Sequence, residues 1–209
     1  KLDSKIVLPD VIEDIWVKGD LSYVFVACGN GGVQVVKFTE STRVFDSIVH
    51  GYQTQGYAEG LMEFGGSLYV AEGNSGVTLL QVNQNGTLTY RGTKNISGYA
   101  RNVWALSNAN VLVSADAKGV YTLDFTQHTS PTVMDSLMFE ENVFGFSSQV
   151  FNTVAVGAVA YVAAGDGGLK ILDIENPYNL QEIGSGWQDF IGGKPVTVRD
   201  MWPHGQFLT

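Results

Sequence analysis

The chain has 209 residues, 44% of them hydrophobic, and a formal charge of -9, so it holds enough apolar material for one sizeable core. So acidic a chain lacks the clustered Lys and Arg from which nucleic-acid binding draws its affinity, and no apolar run approaches the roughly 18 to 20 residues of a membrane-spanning helix. Cys28 is the single cysteine, which excludes an intrachain disulfide and a cysteine-built zinc cage.

Residues 1–9 open with Leu2-Asp3-Ser4-Lys5-Ile6-Val7, an echo of Val44-Phe45-Asp46-Ser47-Ile48-Val49, and predict the outer strand of a preceding unit. A first full unit follows. Glu13-Asp14-Ile15-Trp16 begins an apolar strand, residues 23–38 form two more strands around a Gly-rich turn, and residues 43–49 form a more polar fourth. Cys28 ends the apolar run Val24-Phe25-Val26-Ala27 and reads as a buried thiol. The same order recurs from Glu59-Gly60-Leu61-Met62 (hairpin 68–82, fourth strand 88–93) and from Arg101-Asn102-Val103-Trp104 (111–125, 133–138). It recurs again from Asn152-Thr153-Val154-Ala155 (160–174, 180–185), and Arg199-Asp200-Met201-Trp202 starts it once more.

Gly32, Gly76, Gly119 and Gly168 mark the entry to each third strand, about 44, 43 and 49 residues apart, a period that suits the four-stranded blade of a β-propeller. Asn30, Asn74, Asp116 and Asp166 fall in the turns before these glycines, where residues that tolerate positive φ are needed. They belong to separate blades, so they read as turn formers and not as joint ligands of a calcium ion, which wants six or more oxygens. The expected fold is all-β, with four complete antiparallel blades at about 10–50, 57–94, 99–138 and 151–186, an outer strand at 1–9 and the start of a further blade at 197–209. A propeller interrupted there would expose apolar edges, so we expect a longer natural chain of at least five blades, roughly six to eight.

The segment AYVAAGDGGLKILDIENPYNLQEIGS (160–185), with its Asn176-Pro177 turn, resembles a well-formed LVIVD repeat. The other repeats match more loosely: residues 115–119 replace the Gly-Asp-Gly turn, and the Asn-Pro occurs in the last repeat alone. The resemblance implies a propeller of a kind often found in secreted or surface-attached bacterial proteins, and implies no shared reaction.

In an up-and-down blade the turns between second and third strands share a face with the connections between blades. That face carries the long loops 50–58, 139–150 and 184–197, rich in aromatics and glycine, and loops on a rigid scaffold are where binding concentrates. Tyr52, Tyr57, Phe144, Phe146, Trp187 and Phe190 are the candidates for contact with another protein or a glycan. Glu13, Glu59, Arg101 and Arg199 begin successive inner strands and should ring the channel mouth, where the opposed charges are expected to pair between neighbouring blades. Trp16, Trp104 and Trp202 recur at matching inner-strand positions and read as packing between blades.

His50, His128 and His204 are dispersed, so no shared histidine metal site is expected. The sequence contains no Gly-x-Ser-x-Gly, P-loop or His-Glu-x-x-His pattern. The leading expectation is therefore an extracellular or cell-surface module that binds or assembles and does not catalyse. No cofactor is called for, Ca2+ being the one ion considered. The alternatives are a metal-assisted, lactonase-like hydrolase using Glu13, Glu59 and Asp200, and a structural subunit of a homo-oligomer, filament or surface layer. Asn85-Gly86-Thr87 and Asn95-Ile96-Ser97 fit the glycosylation pattern.

Overall fold

The structure, a computed structural model, describes residues 5–39, 41, 44–140, 147–185, 190–191, 194–204 and 207–208. Four antiparallel sheets follow one another, each of four strands in sequence order. The first contains β1 (Asp14–Val17), β2 (Tyr23–Ala27), β3 (Val33–Thr39) and β4 (Val44–Tyr52). The second contains β5 (Gly60–Phe64), β6 (Ser67–Ala71), β7 (Val77–Val82) and β8 (Leu88–Lys94), and the third β9 (Asn102–Ala105), β10 (Asn110–Ser114), β11 (Val120–Asp124) and β12 (Thr132–Leu137). The fourth contains β13 (Asn152–Val156), β14 (Val159–Ala163), β15 (Leu169–Asp173) and β16 (Gln181–Ser185). Two short hairpins lie beyond: β17 (Phe190–Ile191) with β18 (Lys194–Pro195), and β19 (Pro203–His204) with β20 (Phe207–Leu208). There is no helix among the described residues, and so none long and apolar enough to cross a membrane.

The burial pattern follows from stacking sheets face on face. The second and third strands are sandwiched between neighbouring blades, so they read as continuous apolar runs and are buried on both sides, as Val24 to Ala27, Leu68 to Ala71 and Val111 to Val113 are. One cluster joins the first and second sheets through Phe25, Val35, Leu68 and Leu80. Another joins the second and third through Tyr69, Leu79, Val113 and Phe125, and a third joins the third and fourth through Leu112, Val120, Val162 and Leu172. Full burial of each such side chain is worth about 1.5–3 kcal/mol. The outer strands are exposed, and each pairs through a register shift at Val35/Val36, Leu79/Leu80, Thr122/Leu123 or Ile171/Leu172. A bulge at that place increases the twist of the outer strand and blunts its free edge.

Four local expectations change. Residues 5–9 form no strand; Ile6 and Leu8 lie on the outward face of the first sheet, against Val24, Val26, Cys28 and Val36. Asp116 does not match Asn30, Asn74 and Asp166. It stands where the other turns have Gly29, Gly73 and Gly165, at φ 53° against 51°, 55° and 59°, because the left-handed residue is the first of the turn. In the fourth blade, Asn152 is level with Asn102, not with Arg101, since they pair with Ala163 and Ser114 at equivalent places; Phe151 is the residue level with Arg101. His50 is half-buried within β4, which runs on to Tyr52, so the loop begins three residues later than expected. Burial raises the Cys28 thiol pKa to about 11, with a smaller contribution from Asp10, as suits an inert thiol.

The recurring glycine before each third strand has two causes. Gly32, Gly76 and Gly119 have φ of 67°, 83° and 79°, and a Cβ on them would collide with the carbonyls of Tyr52, Lys94 and Leu137, where the fourth strand closes over the turn. Gly76→Ala is expected to destabilise the protein by about 2–4 kcal/mol in urea unfolding. Gly19→Ala, with nothing within 4 Å of the new Cβ, should change stability by less than about 0.5 kcal/mol.

Candidate functional site: the channel mouth

Each blade is joined to the next by a backbone staple that begins at the positive-φ turn residue. Gly29 and Ala58 exchange hydrogen bonds of 3.2 and 3.0 Å, Gly73 and Ala100 of 3.1 and 2.9 Å, and Gly165 and Val198 of 2.9 and 3.1 Å. Val150 N–H donates to the Asp116 carbonyl at 3.0 Å. The residue after each staple leads into an inner segment, so Glu59, Arg101, Phe151 and Arg199 are delivered to one level. Glu13 joins them just before β1, its N–H bonded to the Ala27 carbonyl at 2.9 Å. Together with Asp14, Asn102, Asn152 and Asp200 they line a depression at the mouth of the channel.

The opposed charges were expected to pair with one another; they are satisfied separately. Tyr57 donates its hydroxyl to Glu13 and Tyr99 donates to Glu59, which raises the pKa of Tyr57 to about 12, that hydrogen bond being the largest cause. Each tyrosine ring lies over a staple glycine, where a Cβ would come within 2.7 Å of Tyr57 at Gly29 or 2.9 Å of Tyr99 at Gly73. At the third staple the pattern inverts. Asp116 replaces the glycine, Gln149 replaces the tyrosine, and the Asp116 carboxylate takes Arg101 Nη2 and Nε at 2.6 and 3.1 Å. Arg101 also lies 5.2 Å from the Tyr99 ring centre and 5.0 Å from that of Phe151, and Arg199 lies 5.1 Å from Phe151. These cation–π contacts form a ladder of alternating rings and guanidinium groups. The mouth is therefore two-sided, with carboxylates on the first two blades and guanidinium groups further round.

Below this level the channel narrows to a cavity of about 100 Å³. Trp202 packs against Trp16 and Trp104 with ring centres 5.9 Å apart in both pairs, so the tryptophans meet across the channel, and Trp16 and Trp104 also pack against the cores between blades. Met62 and Val154 occupy the same level.

Of the other expected residues, Tyr52 is half-buried against the first interblade core. Phe144, Phe146 and Trp187 lie outside the described residues, and only the backbone of Phe190 is described, in β17. Asn85 and Asn95 are exposed. His128 bonds the Phe125 carbonyl from a turn after β11, far in sequence from His50 in β4 and His204 in β19. Among the described residues no three His, Cys, Asp or Glu side chains converge as a metal site.

Glu72 is the functional residue that sequence reasoning missed. It is fully buried beside the second turn, and its Oε2 accepts the N–H groups of Gln55 and Gly56 at 3.0 and 3.2 Å, holding the loop that carries Tyr57. Its signal in the sequence was a charged residue at the end of an apolar strand, where the other blades have Cys28, Ala115 and Ala164. Desolvation raises its pKa above the ordinary 4.5, opposed by the bonds from Thr78, Gly56 and Gln55. The folded state thus holds a proton that the unfolded chain has lost, so this stability contribution is full below pH 4.5 and is lost as pH rises through the raised folded value. Glu72→Gln should flatten the decline in unfolding free energy as pH rises above 4.5 relative to the natural chain, measured by urea titration at each pH.

The family model of the LVIVD repeat matches residues 12–37 and 152–186. No curated protein matches the sequence. Among solved structures, the chain is similar to the Cps50 (Swd1) beta-propeller domain of Myceliophteria thermophila, with TM-score 0.61 and 12% identity over 88% of this chain and 59% of that one. It is similar to the periplasmic gluconolactonase PpgL of Pseudomonas aeruginosa, with TM-score 0.67 and 16% identity over 82% and 56%. It is also similar to the computationally designed protein Ika8, with TM-score 0.61 and 14% identity over 94% and 54%. The chain spans a little over half the length of these structures. Four-bladed order, central channel and structural likeness agree: the chain is a β-propeller, and it carries LVIVD repeats at residues 12–37 and 152–186.

Proposed function

We propose that the chain is a non-catalytic binding or assembly module whose loop-rich face, centred on the channel mouth, receives another protein or a glycan outside the cell or at its surface. The observation that supports this reading is the two-sided mouth. Glu13 and Glu59 are oriented by tyrosine hydroxyls, and Arg101 and Arg199 are held against Phe151. Side chains fixed in this way lose little conformational freedom on meeting a partner, and that preorganisation is what converts contacts into affinity. The extracellular setting is what the LVIVD resemblance implies.

A second reading, a lactonase-like hydrolase, rests on carboxylates at the mouth of a fold shared with a gluconolactonase. Glu13, Glu59 and Asp200 are the groups it would use, and the two glutamates are engaged by tyrosines.

Two measurements test these readings. Partners recovered by glycan array and by cross-linking to the native surface should lose about tenfold or more in affinity for Arg199→Ala and for Glu59→Gln, while the melting temperature moves by less than about 2 °C. Unchanged affinity in both variants removes the mouth from the binding face. Turnover of glucono-δ-lactone that disappears in Glu59→Gln would replace the first reading with the second.

A further inference from the structure

One residue inward from the mouth, Asp14, Asn102, Asn152 and Asp200 stand at equivalent places on four inner segments, and all four line both the depression and the cavity beneath it. Asn152 is 7% exposed. Its Nδ2 donates to Asp200 Oδ1 and, at 3.1 Å, to the Met201 carbonyl. Two acceptors on that side fix which end of the amide faces them, so Oδ1 is turned the other way, where this buried atom has no donor.

Among the described residues the two channel carboxylates, Asp14 and Asp200, carry no ion pair. Asp14 accepts the N–H groups of Ile15 and Leu61 at 2.8 and 2.9 Å, and burial, with the nearby Asp200 charge as a lesser cause, pushes its pKa up. Arg101 is committed to Asp116. A buried amide oxygen without a donor, on the residue that bonds one channel carboxylate and lines the same cavity as the other, is what a bound cation would resolve.

We propose that the channel binds a hard divalent cation of the Ca2+ class through Asp14, Asp200 and Asn152 Oδ1, with Asn102 and water completing the shell. The donors are all oxygen, which selects against ions that prefer thiolate or imidazole. Water completes the coordination because the mouth above is open to solvent. Such an ion braces β1, β13 and residues 198–202 against one another across the axis. The site does not require the mouth to bind a partner, and it leaves Glu13 and Glu59 to their tyrosines.

The test is titration of chelator-stripped protein with CaCl2 alone by calorimetry, with MgCl2 for comparison, and melting curves in EDTA and in 5 mM CaCl2. Saturable one-site binding and a melting temperature raised by several degrees are expected. Asp200→Asn and Asn152→Leu should each weaken Ca2+ binding about tenfold or more, whereas Glu13→Gln should leave it within about twofold. Asn152→Asp adds a third carboxylate, so it should melt below the natural chain in EDTA and recover in CaCl2, a response that a purely structural asparagine would not give. Absence of both heat and melting shift in the natural chain overturns the site. So does binding that survives Asp200→Asn and Asn152→Leu, or that is lost in Glu13→Gln.

Discussion

The staple between consecutive blades is the constraint on which the rest depends. A turn residue with positive φ turns its N–H and carbonyl out of its own hairpin toward the chain that enters the next blade. Two reciprocal backbone bonds, or one at Asp116, then fix the height and direction of that entry, whatever side chains follow. Buried apolar strands alone would let one sheet slide over another, because hydrophobic contact has no preferred direction. The staple removes that freedom at the inner end of every blade, and the packing of Phe25, Leu68, Leu80 and their counterparts supplies the cohesion.

From this constraint the mouth acquires its composition. The residue after each staple always arrives at the channel, and its electrostatic partner is set by what stands at the staple. A glycine leaves room for a tyrosine ring whose hydroxyl reaches a glutamate, as at Glu13 and Glu59. An aspartate at the same backbone position tolerates the left-handed conformation and supplies a carboxylate for an arginine instead. One substitution in a turn therefore goes together with a change of sign at the mouth, and the sheets around it need not change.

The channel is graded along its axis. Charged groups and oriented tyrosines stand at the mouth, carboxylates and amides one residue in, and tryptophans across the base. Below the mouth this order follows from the two-residue alternation of a strand: Asn102 and Trp104, like Asp200 and Trp202, line the channel, while Val103 and Met201 between them are buried. Glu72 extends the control outward, because a carboxylate buried at the turn holds the loop that presents Tyr57.

The sequence by itself determined the four-stranded unit, its period of about forty-four residues and the glycine at each third strand. These are legible because burial on both faces writes continuous apolar runs, and because positive φ and close approach restrict a position to glycine. Only the tertiary structure decided the register of the fourth blade, where Phe151 and not Asn152 stands level with Arg101, since a strand's start is fixed by its pairing partner and not by its own residues. It alone decided that Arg101 meets Asp116 and Tyr99 meets Glu59. Those partners are 15 and 40 residues apart, and spacing along the chain carries no record of which side chains a staple between blades will bring together.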